Sequence, residues 1–275
     1  MDTIKDPAHD VGGQVMGGQL DKVELSNEYI YSQAIAITQT AQKHGVLLRL
    51  IGATAFINHC PKYNHYYIEA GRKLTDVDLM GYSKTPLDKL DAAFKELGYE
   101  PNRSLTWHSA TRDIYVNQEK LFVDVFRDVL SYCHPISFIG RLEMDFPTIP
   151  LVDLLLEKAQ IVQINAKDLF DMVILLLEHD LEDTLEVDTI DIGRVVNLWS
   201  NDWGFYYTGT TNLKKVISYM NDLQVLNTGQ KQTVQDKIEY MLQRIETAPK
   251  TMKWKLRSVI GTRARWYEEV ESVER

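Results

Sequence analysis

Only two cysteines, Cys60 and Cys133, occur in the 275 residues. They are too few for a disulfide framework, so the expected setting is a reducing cytoplasm. Nowhere does the chain approach the run of about 20 apolar residues that a membrane-spanning helix needs, so no membrane partner is expected. The opening MDTIKDPAHD lacks both the basic start and the apolar stretch of a secretory signal. Basic charge is in deficit: the net charge of −9 argues against a protein coated in nucleic acid, while leaving room for a local basic groove. The Gly-Gly pairs at 12–13 and 17–18 are not followed by Gly-Lys-Ser/Thr, which excludes a phosphate loop and leaves a mobile or turn-rich lead-in over residues 1–25. No internal repeat is visible.

What is present is ample apolar material, 44% of residues, with 25% charged, which suits one large globular domain or two ordinary ones. Ser26 or Asn27 can cap a first helix whose stripe is Ile30, Ala34, Ile37 and Ala41, stopped by Gly45. Strand and helix patterns then alternate. Val46–Ile51 reads as a buried strand broken by Gly52, and Ala53–Cys60 as a short helix. Asp76–Tyr82 alternates like a strand. Thr85-Pro86-Leu87-Asp88 opens a helix that ends at Gly98. Ile114–Val116 and Leu121–Phe126 form a hairpin around Asn117-Gln118-Glu119. After Pro150 the segments near 151–163, 167–181, 188–199, 211–225, 230–247 and 251–272 all read as helices. The expected organisation is an α/β (α+β) domain over 26–148, a mixed sheet with flanking helices, followed by an all-helical domain over 149–275.

Chemistry concentrates in LTDVDLMGY. On a strand, Asp76 and Asp78 share one face while Val77 and Leu79 take the other, so the two carboxylates lie about 7 Å apart. Like charges that close repel, and a hard divalent cation such as Mg²⁺ or Mn²⁺ removes the conflict. A D-x-D alone is common, and two solvated aspartates also protect an edge strand from aggregation. Two further features favour the cation. Asp124 sits inside LFVDVF, where an isolated buried charge is costly and needs a partner. In LRLIGATAF a strand runs into Gly52 and then a helix, a turn that brings backbone N–H groups to phosphate. Thr54 adds a hydroxyl.

In that order, Gly52-Ala53-Thr54, Asp76-Val77-Asp78 and Asp124 resemble the nucleotidyltransferase superfamily of the DNA polymerase β type. Its signature is a Gly-Ser or Gly-Gly turn, D-x-D or D-x-E, and a lone Asp on a later strand. Ala53 departs from the usual Ser or Gly, and the spacing from Gly52 to Asp76 is longer than usual. GATAF, then Arg72 ahead of LTDVDL, then LLLEKAQIVQINAKDLFD is similar to the AbiEii/AbiGii-toxin branch over residues 45–180. There the downstream lysine is Lys158, and Lys167-Asp168-Leu169-Phe170-Asp171 matches an R-D-x-x-D element with Lys for Arg. The resemblance implies two Mg²⁺ or Mn²⁺ ions on Asp76, Asp78 and Asp124, with an NTP held by Gly52, Ala53, Thr54, Arg72 and Lys158. Asp168 takes a supporting role in preference to Asp171. It implies transfer of a nucleoside monophosphate to an acceptor hydroxyl on tRNA, protein or a small molecule, and for a toxin a cognate antitoxin.

Each residue also has a plainer reading. Lys158 could snorkel from an apolar helix face. Asp168 and Asp171 could serve a helix dipole. Arg72 could be a loop charge. His59, Cys60 and His65 offer three zinc donors without a fourth, and a helix end beside Pro61 is the plainer reading. Residues 250–266 carry six basic side chains, no acidic one, and Trp254 and Trp266, which suits single-stranded RNA or a basic helix docked on the acidic body. HDLEDTLEVDTIDIG reads as a solvated linker or helix start. Two rival functions stand beside transfer: nucleotide binding without turnover, for which Ala53 speaks, and sugar transfer using D-x-D alone.

Overall fold

The computed structural model describes residues 25–103, 112–184 and 188–269. The Gly-rich lead-in lies outside them. Helix α1 (Asn27–Lys43) starts where Ser26 accepts the Tyr29 N–H, and it buries Ile30, Ala34, Ile37 and Ala41 as its spacing requires. Gly45, at φ 67°, turns the chain into β1 (Leu48–Ile51). Then come α2 (Gly52–His59), α3 (Asn64–Glu69), β2 (Val77–Gly81), α4 (Leu87–Glu96), β3 (Glu100–Pro101), β4 (Arg112–Val116) and β5 (Phe122–Arg127). The helix expected to be capped by Thr85 begins one residue later, with Pro86 at the cap and no side-chain cap bond.

The sheet order is β1-β2-β5-β4-β3. Only β2 and β5 run parallel, and the other pairs are antiparallel, so the fold is mixed α/β. The outer edge of β1 is partly covered, since Leu50 N–H donates to Pro147 O and Leu50 O accepts the Ile149 N–H in return. That return strand leads from the small hairpin β6 (Val129–Ser131) and β7 (Pro135–Ser137) into the second half.

The second half is helical: α5 (Leu151–Ala159), α6 (Ala166–Glu178), α7 (Ile192–Asn201), α8 (Trp203–Asp222), α9 (Thr228–Thr247) and α10 (Met252–Ile260). Three expectations need correction. The half is not wholly helical, because the acidic stretch forms the parallel pair β8 (Asp180–Glu182) and β9 (Thr189–Asp191), after which Asp191 caps α7. The helix expected at 211–225 is the end of a longer one, started at Trp203 because the Asp202 side chain accepts the Phe205 N–H. The last helix stops at Ile260, since Gly261 turns out of it at φ 59°.

The buried apolar residues form one cluster running from Ile30 to Ile245, so sheet and helical half share a core. Helix α2 touches β1 and β2 on one side and α5 and α6 on the other. Among the described residues no helix is long and apolar enough to cross a membrane.

Candidate active site

The β1–α2 turn depends on glycine. Gly52 has φ 64°, a region that costs other residues about 1–2 kcal/mol, and a Cβ there would lie 2.8 Å from Asp78 Oδ2. Removing the side chain lets the Asp78 carboxylate lie directly against the backbone. Ile51 at the cap of α2 has no side-chain acceptor, so the first amides of the helix lack a local partner. Glu157, a buried residue on α5, fills that role: its Oε2 accepts the Gly52 N–H at 3.1 Å. The amide expected to cradle phosphate is therefore already engaged by a carboxylate. Burial pushes the Glu157 carboxyl up, against the opposing effects of Lys158 and the Gly52 bond. Thr54 is buried and its hydroxyl donates back to Ile51 O at 3.4 Å, away from the cavity that Ala53 lines.

A cavity of about 220 Å³ opens beside this turn, lined among others by Gly52, Ala53, Arg72, Lys73, Asp76, Asp78, Tyr132, Glu157, Lys158 and Asp168. Asp78 is the second residue of β2, its neighbours Val77 and Leu79 fully buried, so the strand alternation does place it on the opposite face. Asp76 precedes the strand rather than lying in it, half-buried, with the Thr75 hydroxyl donating to its Oδ1 at 3.0 Å. Both carboxylates nonetheless line one cavity.

Asp124 is placed differently from expectation. It is the register partner of Asp78 across the parallel pair β2–β5, but it is 1% exposed and does not line the cavity. Arg112 on β4 reaches its Oδ2 at 3.2 Å. Among the described residues no three His, Cys, Asp or Glu side chains converge to hold an ion. Asp76 and Asp78 fit a cation such as Mg²⁺, which takes one or two carboxylates and completes its shell from water and substrate phosphate. A second ion on Asp124 does not fit the Arg112 pair.

The cationic wall is a buried network. Lys158 Nζ lies 2.9 Å from Asp168 Oδ1 and 3.4 Å from Asp171 Oδ2, with the Phe56 ring 5.4 Å away. Burial alone would lower the Lys158 pKa, and Asp171, Glu157 and Asp168 outweigh it, so the ammonium stays charged. Asp171 also takes Arg72 Nη2 at 3.3 Å, which makes it the hub joining both cations, although Asp168 is the member that lines the cavity. Sequence reasoning missed Glu157, Tyr132, Lys73 and the central place of Asp171. One signal was available: Glu157-Lys158 follows three leucines in a helix, and two charges inside a core need partners.

The zinc reading fails. His59 Nε2 is taken up by Asp145 at 3.2 Å and by Thr148, while Cys60 is buried and its thiol pushed up by desolvation. His65 packs at 4.1 Å against the Tyr66 ring. In the basic stretch Trp254 and Trp266 are half-buried: Trp254 packs edge-on to Tyr206 and Trp266 Nε1 donates to Thr208. The exposed side chains of α10 are Met252, Leu256, Val259 and Ile260 together with Lys253 and Lys255.

No protein-family model matches the chain, and no curated protein matches it. A solved structure described as "Crystal structure of putative nucleotidyltransferase from H. pylori" aligns over 81% of this chain and 98% of its own, at 14% identity and a TM-score of 0.39. Likeness at that level carries no argument about activity, so the functional reading rests on the cavity itself.

Proposed function

We propose that this chain is a metal-dependent nucleotidyltransferase that moves a nucleoside monophosphate from an NTP to an acceptor hydroxyl. The observation that supports it most is the sharing of one cavity by Asp76 and Asp78, the Gly52-Ala53 turn, and the cations Arg72, Lys73 and Lys158. Carboxylates opposite cations suit a magnesium-bound triphosphate, which presents a metal to the first and phosphate oxygens to the second. In the reaction the acceptor oxygen attacks the α-phosphorus, the bond to the β-phosphate oxygen breaks, pyrophosphate leaves, and the acceptor proton passes to water. Asp76 and Asp78 would hold the ion, whose contribution is to neutralise charge on the phosphates. Lys158 and Arg72, held by Asp168 and Asp171, would orient the triphosphate and offset its charge without moving during the step.

Incubation with each α-labelled NTP, Mg²⁺ and total cellular RNA or lysate tests this. Label should pass to one class of acceptor, with pyrophosphate released in equal amount. The same experiment separates tRNA from protein acceptors, and so bears on the toxin reading and its antitoxin.

A second reading is nucleotide binding without turnover. It is favoured by the engagement of the Gly52 amide with Glu157 and by the seclusion of Asp124 from the cavity. Saturable NTP binding with no pyrophosphate from any acceptor would select it over transfer.

A further inference from the structure

Asp78 and Asp124 face each other in register on parallel strands, so their Cα atoms lie about 4.8 Å apart and their side chains leave the same face of the sheet. Two carboxylates at that separation repel unless a cation lies close. One such cation belongs to the chain. Arg112 stands two residues before Ile114, the register partner of Asp124 across β4–β5, and so reaches Asp124 along the diagonal of that pair. Its Nη1 is 3.2 Å from Asp124 Oδ2, with side-chain exposures of 14% and 1%. The guanidinium carbon also sits 5.7 Å from the Phe126 ring centroid, which fixes its position from a second side. The cavity is lined by Asp76 and Asp78 and not by Asp124 or Arg112.

We propose that Arg112 is a resident counter-ion of Asp124, standing where a second divalent ion would have to bind, so that the site holds one divalent ion and not two. The single ion on Asp76 and Asp78 rests on the functional reading above, whereas the occupation of Asp124 by a guanidinium does not. A covalently attached cation does not exchange with the medium. It also withdraws Asp124 from service as the base that takes the acceptor proton. Dependence on Mg²⁺ is then hyperbolic, with a Hill coefficient near one.

The test counts Mn²⁺ bound per chain by the electron paramagnetic resonance of free ion, on the full chain with and without α,β-methylene-ATP. The wild type should bind one ion, lost in Asp78→Asn and retained in folded Asp124→Asn. Arg112→Gln should gain a second ion, which disappears again in Arg112→Gln/Asp124→Asn. Two ions on the wild type, one of them lost in Asp124→Asn, would overturn the proposal without need of any arginine variant. So would a folded Arg112→Gln protein that gains no ion. A wild type that binds no Mn²⁺, beside an Arg112→Gln variant that binds one through Asp124, would support the counter-ion and overturn the metal-dependent reading instead.

Discussion

Gly52 shows how much one missing side chain can decide. The same Cα tolerates a left-handed φ and admits the Asp78 carboxylate, so Gly52→Ala meets both a backbone penalty and a clash. The variant should lose about 1–2 kcal/mol of stability from φ alone, read by denaturant melting, and its transfer rate should fall further than stability explains because Asp78 is displaced. A variant with altered melting but unchanged rate would separate Gly52 from the chemistry. Asp124 and Asp76 make a contrasting pair. Asp124→Asn leaves Arg112 facing a neutral partner inside the protein and should cost about 3 kcal/mol, the lower end for a broken buried pair, since Arg112 keeps some solvent contact. Asp76→Ala, at a half-buried position ahead of the strand, should melt within about 0.5 kcal/mol of the wild type while abolishing transfer. Equal destabilisation in the two variants would contradict this placement.

At the scale of elements, α5 joins the sheet half to the helical half, and it does so through charge as well as packing. Asp153 on α5 is fully buried and receives Arg141 Nε at 2.6 Å from the segment before the helix and Arg194 Nε at 2.7 Å from α7. Four residues on, Glu157 holds the start of α2, and the next residue, Lys158, meets α6. One short helix thus ties three others together at the Gly52 turn. Asp153→Ala would orphan two arginines and should destabilise by about 3–5 kcal/mol. Because Asp153 does not line the cavity, the surviving folded fraction should bind NTP normally. A melting curve and a nucleotide titration on one preparation check both halves of that statement.

Across the whole molecule, His134 is one contributor to the balance of stability with pH. His134 lies beneath α8, its Nε2 2.8 Å from the Thr208 hydroxyl and its ring stacked on Phe205 at 5.1 Å. Desolvation by burial lowers its pKa to about 4, against a small opposing effect of Asp202. The folded pKa is depressed, so the neutral imidazole contributes stability that is complete above the unfolded value near 6.5 and is lost as pH falls toward 4. The loss should reach at most about 3 kcal/mol by pH 4. His134→Gln should flatten the slope of unfolding free energy between pH 6.5 and 4 by that amount, and an unchanged slope would assign the acid sensitivity elsewhere.

By itself the sequence determined the elements whose signals are local. The Ile30–Ala41 stripe, the hairpin from β4 to β5, and the alternation that separates Asp78 from Val77 and Leu79 are set by periodicities of 3.6 and 2, and the structure keeps them. It also placed Gly52, Ala53, Arg72, Asp76, Asp78, Lys158 and Asp168, which the fold gathers on one cavity. Element boundaries near caps were less legible, as at Trp203, because an Asp side chain bonding two or three residues ahead competes with the hydrophobic pattern. Only the tertiary structure decided who neutralises whom. Glu157 meets Gly52 from 105 residues away, Asp171 gathers Arg72 and Lys158 from two other segments, and Arg112 reaches Asp124 across a strand pair. A charge in a linear sequence has no partner until the chain closes, and the pull between opposite charges becomes strong only when folding brings them within a few ångströms and excludes water. Residue type can therefore mark a buried charge as needing a counter-ion, while the fold chooses between a metal and an arginine.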